Sequence, residues 1–168
     1  MHMADTDPSE KLSLTSINDH SIPLDQPLYI AFDPGPHTGW VVATQNLEFF
    51  LCGESTLPNM VPHSLHGLLE RMTALHRTYT KIIIESFTLT SRPKDPKQAT
   101  ITLKQIGALA HVASRFAIEP HFQLPNTRKM TPTDALRRAG IWPRALTHAQ
   151  SAARHLGAYL ITQGQLKP

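Results

Sequence analysis

Leu28-Tyr29-Ile30-Ala31-Phe32-Asp33-Pro34-Gly35-Pro36-His37-Thr38-Gly39-Trp40-Val41-Val42-Ala43-Thr44 is the stretch on which the reading of this chain turns. Its first part is a short, continuously apolar run with strand character that ends on a carboxylate. Pro34-Gly35-Pro36 must turn, because proline fixes φ and glycine relieves the tight backbone. Residues 39–44 are again apolar and partly β-branched, and return as a second strand. Residues 48–55 supply a third, with Phe49, Phe50 and Leu51 at its centre. Joined by short connections, the three predict an antiparallel meander.

Downstream the period changes. Leu65, Leu68, Leu69, Met72 and Leu75 fall at i, i+3, i+4, i+7 and i+10, one face of an amphipathic helix. Residues 81–85, Lys-Ile-Ile-Ile-Glu, echo the first strand and again end on a carboxylate. A strand apolar on both faces belongs at the centre of a covered sheet. Residues 87–97 read as a basic loop, and Leu103, Ile106, Ala110 and Ala113 mark a second helix. Residues 121–124 read as a fifth strand and Thr147–Thr162 as a final helix. The predicted class is α/β: one five-stranded mixed sheet, three antiparallel strands followed by alternating helix and strand, flanked by helices. Residues 1–26, rich in Asp, Ser, Pro and Thr, read as a flexible tail, and residues 27–168 as one domain. Met1-His2-Met3 reads as a cloning remnant before a start at Met3, so His2 enters no site.

Bulk composition narrows the function classes. The chain has 168 residues, 40% of them hydrophobic and 17% charged, ordinary for one soluble domain with a real core. No run approaches the ~18 apolar residues of a membrane span, and residues 1–20 lack the apolar core of a signal peptide. Cys52 is the single cysteine, which excludes an intrachain disulfide and a multi-cysteine zinc site and fits a reducing cytoplasm. Sixteen Lys and Arg against thirteen Asp and Glu give a net charge of +3, compatible with a polyanionic partner without requiring one.

Acidic residues are scarce, yet Asp33 and Glu85 close the two most buried-looking strands. If those strands are parallel neighbours, both carboxylates meet at one end of the sheet, where mutual repulsion calls for a cation. Mg²⁺ or Mn²⁺, hard and carboxylate-seeking, is the natural candidate. A carboxylate also ends many strands simply where the chain leaves the core, and the residues alone leave both readings open. On the final helix His148, Ser151 and His155 stand at i, i+3 and i+7 and share one face. Histidines so spaced serve as ligands, as a general acid, or as surface residues with no task. Arg92, Lys94, Lys97 and Lys104 follow the second acidic strand, while Arg128, Lys129, Arg137, Arg138 and Arg144 precede the final helix. Such residues bind phosphates with salt-dependent affinity and no sequence preference of their own. Phe87 is a candidate for stacking on, or wedging into, distorted DNA.

These motifs carry a resemblance. Residues 30–41, an apolar strand, Asp33-Pro34-Gly35, then Thr38-Gly39-Trp40 and a second strand, resemble the opening of RuvC-type Holliday-junction resolvases of the RNase H-like superfamily. Ile82-Ile83-Ile84-Glu85 looks like the second acidic strand of that family, and residues 147–156 look like its final helix in the form of phage and prophage members. The resemblance spans about residues 28–162. It implies an RNase H-like fold and a metal-dependent endonuclease that hydrolyses phosphodiesters in line, with two divalent ions. Asp33 and Glu85 would be ligands, with His148 and Ser151 at the last-helix positions, and Phe87, Arg92, Lys94, Lys97, Lys104, Arg128 and Lys129 would contact DNA. It further implies branched DNA as partner, a homodimer making two symmetric cuts, and no side-chain nucleophile, so Cys52 and the serines are not candidates for covalent catalysis. The chain departs from the pattern at Ser151, where the family commonly carries a carboxylate; His155, two turns beyond His148, is the candidate to take its place. Rival readings are a DNA-binding module whose cleavage the serine has weakened, and a nuclease of the same fold acting on flaps or RNA–DNA hybrids. The phosphate loop of sugar kinases shares Asp33, Gly35 and Thr38, but those proteins need a second lobe for which this chain has no room.

Overall fold

The structure is a computed structural model, and it describes residues 22–24, 26–57, 59–74, 80–87 and 95–168. Strands β1 (Leu28–Asp33), β2 (Thr38–Thr44) and β3 (Phe50–Ser55) form the expected meander. Helix α1 (Met60–Ala74), strand β4 (Thr80–Glu85), helix α2 (Pro96–Arg115) and strand β5 (His121–Gln123) follow. A 3₁₀ helix (Pro125–Met130), a short helix α3 (Thr133–Arg138) and helix α4 (Thr147–Thr162) complete the order. The five strands make one mixed sheet, β3-β2-β1-β4-β5, antiparallel across β1, β2 and β3 and parallel from β1 to β4 to β5.

The period-2 alternation of β1 divides the core. Leu28, Ile30 and Phe32 face one side with Trp40, Val42, Ile82 and Ile84, covered by Leu65, Leu68, Leu69 and Met72 of α1 and Leu109 and Val112 of α2. Tyr29, Ala31, Val41, Ala43 and Ile83 face the other, covered by Ala152, Ala153, Leu156 and Leu160 of α4 and by Leu136 and Ile141. Burying each large apolar side chain contributes ~1.5–3 kcal/mol, so the central strands stay apolar for as long as both faces are covered. Their first carboxylates come at the C-terminal ends of the strands. Alanines on both sides of the second interface let α4 lie close to the sheet. At Gly39 the approach is closest: a Cβ there would sit 2.0 Å from the His148 carbonyl carbon and 2.4 Å from the Ala149 nitrogen.

Four expectations need correction. Residues 48 and 49 belong to the turn before β3, where Asn46 Nδ2 donates to Glu48 Oε2 and Thr44 Oγ1 donates to Asn46 Oδ1. Lys97 lies in the first turn of α2 and not in a loop, because Asp95 accepts from the backbone nitrogens of Lys97 (2.9 Å) and Gln98 (3.1 Å) and Pro96 opens the helix. The inward face of α2 is Ala99, Gln105, Leu109, Val112 and Ala113, rotated from the predicted stripe, and Leu103 is exposed. Of the segment read as a tail, Ile22 is buried in the core and Leu24 packs against it, since both are apolar. The 3₁₀ helix and α3 are too short to show a period and were not anticipated. Leu75, Arg92 and Lys94 lie outside the described residues. Among the described residues no helix is long and apolar enough to cross a membrane.

Gly39→Ala tests the approach of α4 to β2. The new methyl group meets backbone rather than a flexible side chain, so overpacking should cost ~1–3 kcal/mol or more. A denaturant midpoint unchanged from the parent would mean α4 does not pack this closely.

Candidate active site

Backbone pairing alone brings the two strand-terminal carboxylates together. The parallel register of β1 and β4 runs Leu28↔Thr80 to Phe32↔Ile84, which makes Asp33 and Glu85 the next residues of the two strands. By alternation both side chains fall on the face that α4 covers, with Tyr29, Ala31 and Ile83. The first turn of α4 crosses the same end of the sheet over Gly39. It has no cap of its own, Leu146 being apolar; Glu54 of β3 serves instead, accepting from the backbone nitrogens of His148 (2.5 Å) and Ala149 (3.3 Å). A carboxylate at a helix N-terminus satisfies otherwise orphaned donors and the helix dipole together.

Each acid then meets a histidine of α4. His148 Nδ1 lies 3.1 Å from Asp33 Oδ2, and its ring stacks on that of His37 with centroids 5.8 Å apart. His155 Nε2 lies 2.6 Å from Glu85 Oε2, and its Nδ1 lies 2.7 Å from the buried Gln123 Oε1. His155 is wholly buried with both ring nitrogens engaged, and it braces Glu85 from behind without itself lining the cleft to which Glu85 belongs. Ser151 accepts from Arg128 Nη1 at 2.7 Å, and the same nitrogen stands 3.9 Å from Glu85 Oε2. Asp33, Glu85, His148, Ser151 and Arg128 thus line one cleft of about 310 Å³ with Phe87 and the Pro34-Gly35-Pro36 turn. Lys97, Lys104 and Lys129 are exposed elsewhere and do not line it.

Burial and the neighbouring Glu85 charge push the Asp33 carboxyl up to about 6, against a smaller opposing pull from His148 and His155. Two acids held together with little solvent exposure are electrostatically expensive. Among the described residues no group of three or more His, Cys, Asp or Glu is arranged as a ready-made metal cage; the acids are engaged by histidines in two pairs.

Three supporting residues escaped sequence reasoning: Glu54, Gln123 and Gln105. Gln105 Oε1 accepts from Gly35 N and from Thr38 Oγ1, each at 2.8 Å, pinning the turn that follows Asp33. Its signal was present: a glutamine in register with Leu109, Val112 and Ala113 on a buried helix face needs a partner there. Glu54 and Gln123 carried no such signal, because their partners come from distant elements.

No protein-family model matches the chain, and no curated protein matches it. Its fold is similar to solved structures of RuvC. A Thermus thermophilus RuvC in complex with a Holliday-junction substrate superposes with a TM-score of 0.56 at 14% identity, covering 85% of this chain and 99% of that one. A second Thermus thermophilus RuvC structure gives 0.54 at 14% identity, covering 84% and 99%. The RNase H-like α/β architecture expected from the sequence is therefore the observed one.

The raised Asp33 pKa has a signed consequence for stability. Between 3.8 and about 6 the folded state holds a proton that the unfolded state has released, so stability falls as pH rises through that window. Asn in place of Asp33 removes the penalty. In EDTA at pH 7.5, Asp33→Asn should be more stable than the parent by ~1–3 kcal/mol, and the gap should close below pH 4. A destabilised variant with no pH-dependent gap would contradict the electrostatics described.

Proposed function

We propose that this chain is a structure-specific DNA endonuclease, a phage- or prophage-like relative of the RuvC resolvases. On this reading it uses a divalent ion and works as a homodimer on four-way junctions in the cytoplasm of a bacterial or phage-infected cell. The observation that carries the reading is the meeting of Asp33 and Glu85 at one end of adjacent parallel strands, each engaged by a histidine of α4. The fold-level likeness to a junction-bound RuvC makes branched DNA the first substrate to test.

The donor set fits a divalent cation. Burial first, and then the Glu85 charge, hold Asp33 up to about 6, and Mg²⁺ or Mn²⁺ would relieve the negative charge of the pair. Asp33, Glu85 and His148 are the residues that would hold it. Bound there, the ion supplies charge neutralisation and a water of lowered pKa. A second ion has weaker support, because Ser151 brings no charge and is bonded to Arg128. The guanidinium instead offers donors to the oxygens of a scissile phosphate, where charge builds as the bond to the 3′ oxygen breaks. His155 and Gln123 hold Glu85 in place, and Glu54 with Gly39 fixes the helix that carries His148. Phe87 lines the cleft, and on this reading it packs against an unstacked base. Homodimerisation would supply two symmetric cuts.

The Arg128–Ser151 bond also favours a second reading, a junction-binding module with weakened cleavage. One assay separates the two: labelled four-way junction, duplex, flap and RNA–DNA hybrid, incubated with Mg²⁺, Mn²⁺ or EDTA. Junction cutting that needs metal and falls at least ~100-fold in Asp33→Asn is the expected result. Binding indifferent to metal, with no product from any substrate, would replace the nuclease by the binding module.

A further inference from the structure

Away from the cleft, the connection between α3 and α4 builds a second concave surface. Gln150 Nε2 donates to the Pro143 carbonyl at 3.1 Å, and the Arg154 guanidinium lies 5.3 Å from the centroid of the Trp142 ring. Anchored from α4 in this way, residues 137–144 leave a groove of about 560 Å³ lined by Arg137, Gly140, Trp142 and Arg144. It is roomier than the cleft at Asp33. Gly140 has φ +72° and open space where a Cβ would stand, so the backbone there is approachable. Arg137 and Arg144 are exposed, and the acid nearest in sequence, Asp134, holds Arg137 only in a solvent-exposed pair at 3.3 Å, the kind a phosphate displaces readily. Arg138 adds to the local positive charge.

Trp142 is half-buried against the core with Arg154 over its ring. Its part that lines the groove beside exposed Arg137 and Arg144 offers apolar and cationic contacts of the kind that accept a base with its flanking phosphates. We propose that this groove binds unpaired nucleotides of a nucleic-acid strand, Trp142 stacking on a base while Arg137 and Arg144 take the phosphates. Thr147, three residues beyond Arg144, already lines the Asp33 cleft. Groove and cleft therefore border the same end of α4, and one strand can reach both. The inference rests on the proposal that the chain acts on DNA, and it adds a place for a strand that has left the duplex.

Trp142 is its own reporter, since the other tryptophan, Trp40, is completely buried. The full chain is titrated with a ten-nucleotide deoxythymidine strand and with an abasic strand of the same length and charge, reading tryptophan emission and the anisotropy of a labelled strand. The expected result is quenching by the thymidine strand, with the abasic strand binding at least ~5-fold more weakly. Arg144→Glu, an exposed position, should weaken thymidine binding at least ~5-fold and reduce its salt dependence. Trp142→Leu should abolish the preference for bases, and a thermal melt checks that it folds. Equal affinity for the two strands, or anisotropy unchanged in Arg144→Glu, overturns the groove even if junctions are cut. Base-dependent binding lost in these variants upholds it even if no junction is cut.

Discussion

The parallel register between β1 and β4 is the constraint on which the site depends. It sets Phe32 against Ile84, so the next residues, Asp33 and Glu85, emerge side by side at the end of the sheet that the first turn of α4 crosses. A slip of one residue would turn one acid to the opposite face, among the leucines of α1. Such a slip would drive an unpaired carboxylate into the apolar layer beneath α1, and that desolvation cost opposes it. The core therefore holds the two charges together, and their mutual repulsion is borne by the stability of the sheet.

Helix α4 completes what the strands begin, and its position rests on an absence and a loan. The absence is a side chain at Gly39, which lets the backbone of His148 and Ala149 press on β2. The loan is Glu54, which caps the helix from β3 because Leu146 cannot. Together they fix the first turn, and a helical period then delivers His148, Ser151 and His155 to one face. The two histidines are not equivalent. His148 is half-exposed at the cleft beside Asp33, whereas His155 is sealed between Glu85 and Gln123. Spacing alone made them look like members of one set, and burial separates their environments.

Arg128 gives the site its individual character. A serine in place of an expected carboxylate removes a negative charge, and the structure answers with a guanidinium bonded to that serine and close to Glu85. The local charge balance thus differs from that of a site with a third acid, while the sheet and helix that frame it keep the RuvC-like architecture.

Much of this was legible in the chain itself. Strand β1, the Pro-Gly-Pro turn, β2, β4 and the span of α4 follow from local pattern, because continuous apolar runs and a 3.6-residue period are properties of neighbouring residues. The meeting of Asp33 and Glu85 was legible too, given parallel strands, whereas placing His148 and Ser151 beside them came from the family resemblance. Tertiary structure decided what depends on distant partners: that Arg128 reaches Ser151 and Glu85, that Lys97, Lys104 and Lys129 do not line the cleft, and that His155 is sealed behind Glu85. It also supplied the supports, Gln105 to the Asp33 turn, Glu54 to α4 and Gln123 to His155. Each is a polar group whose partner lies 32 to 94 residues away. A local pattern records which faces will be buried; which polar groups meet inside is settled only when the elements pack.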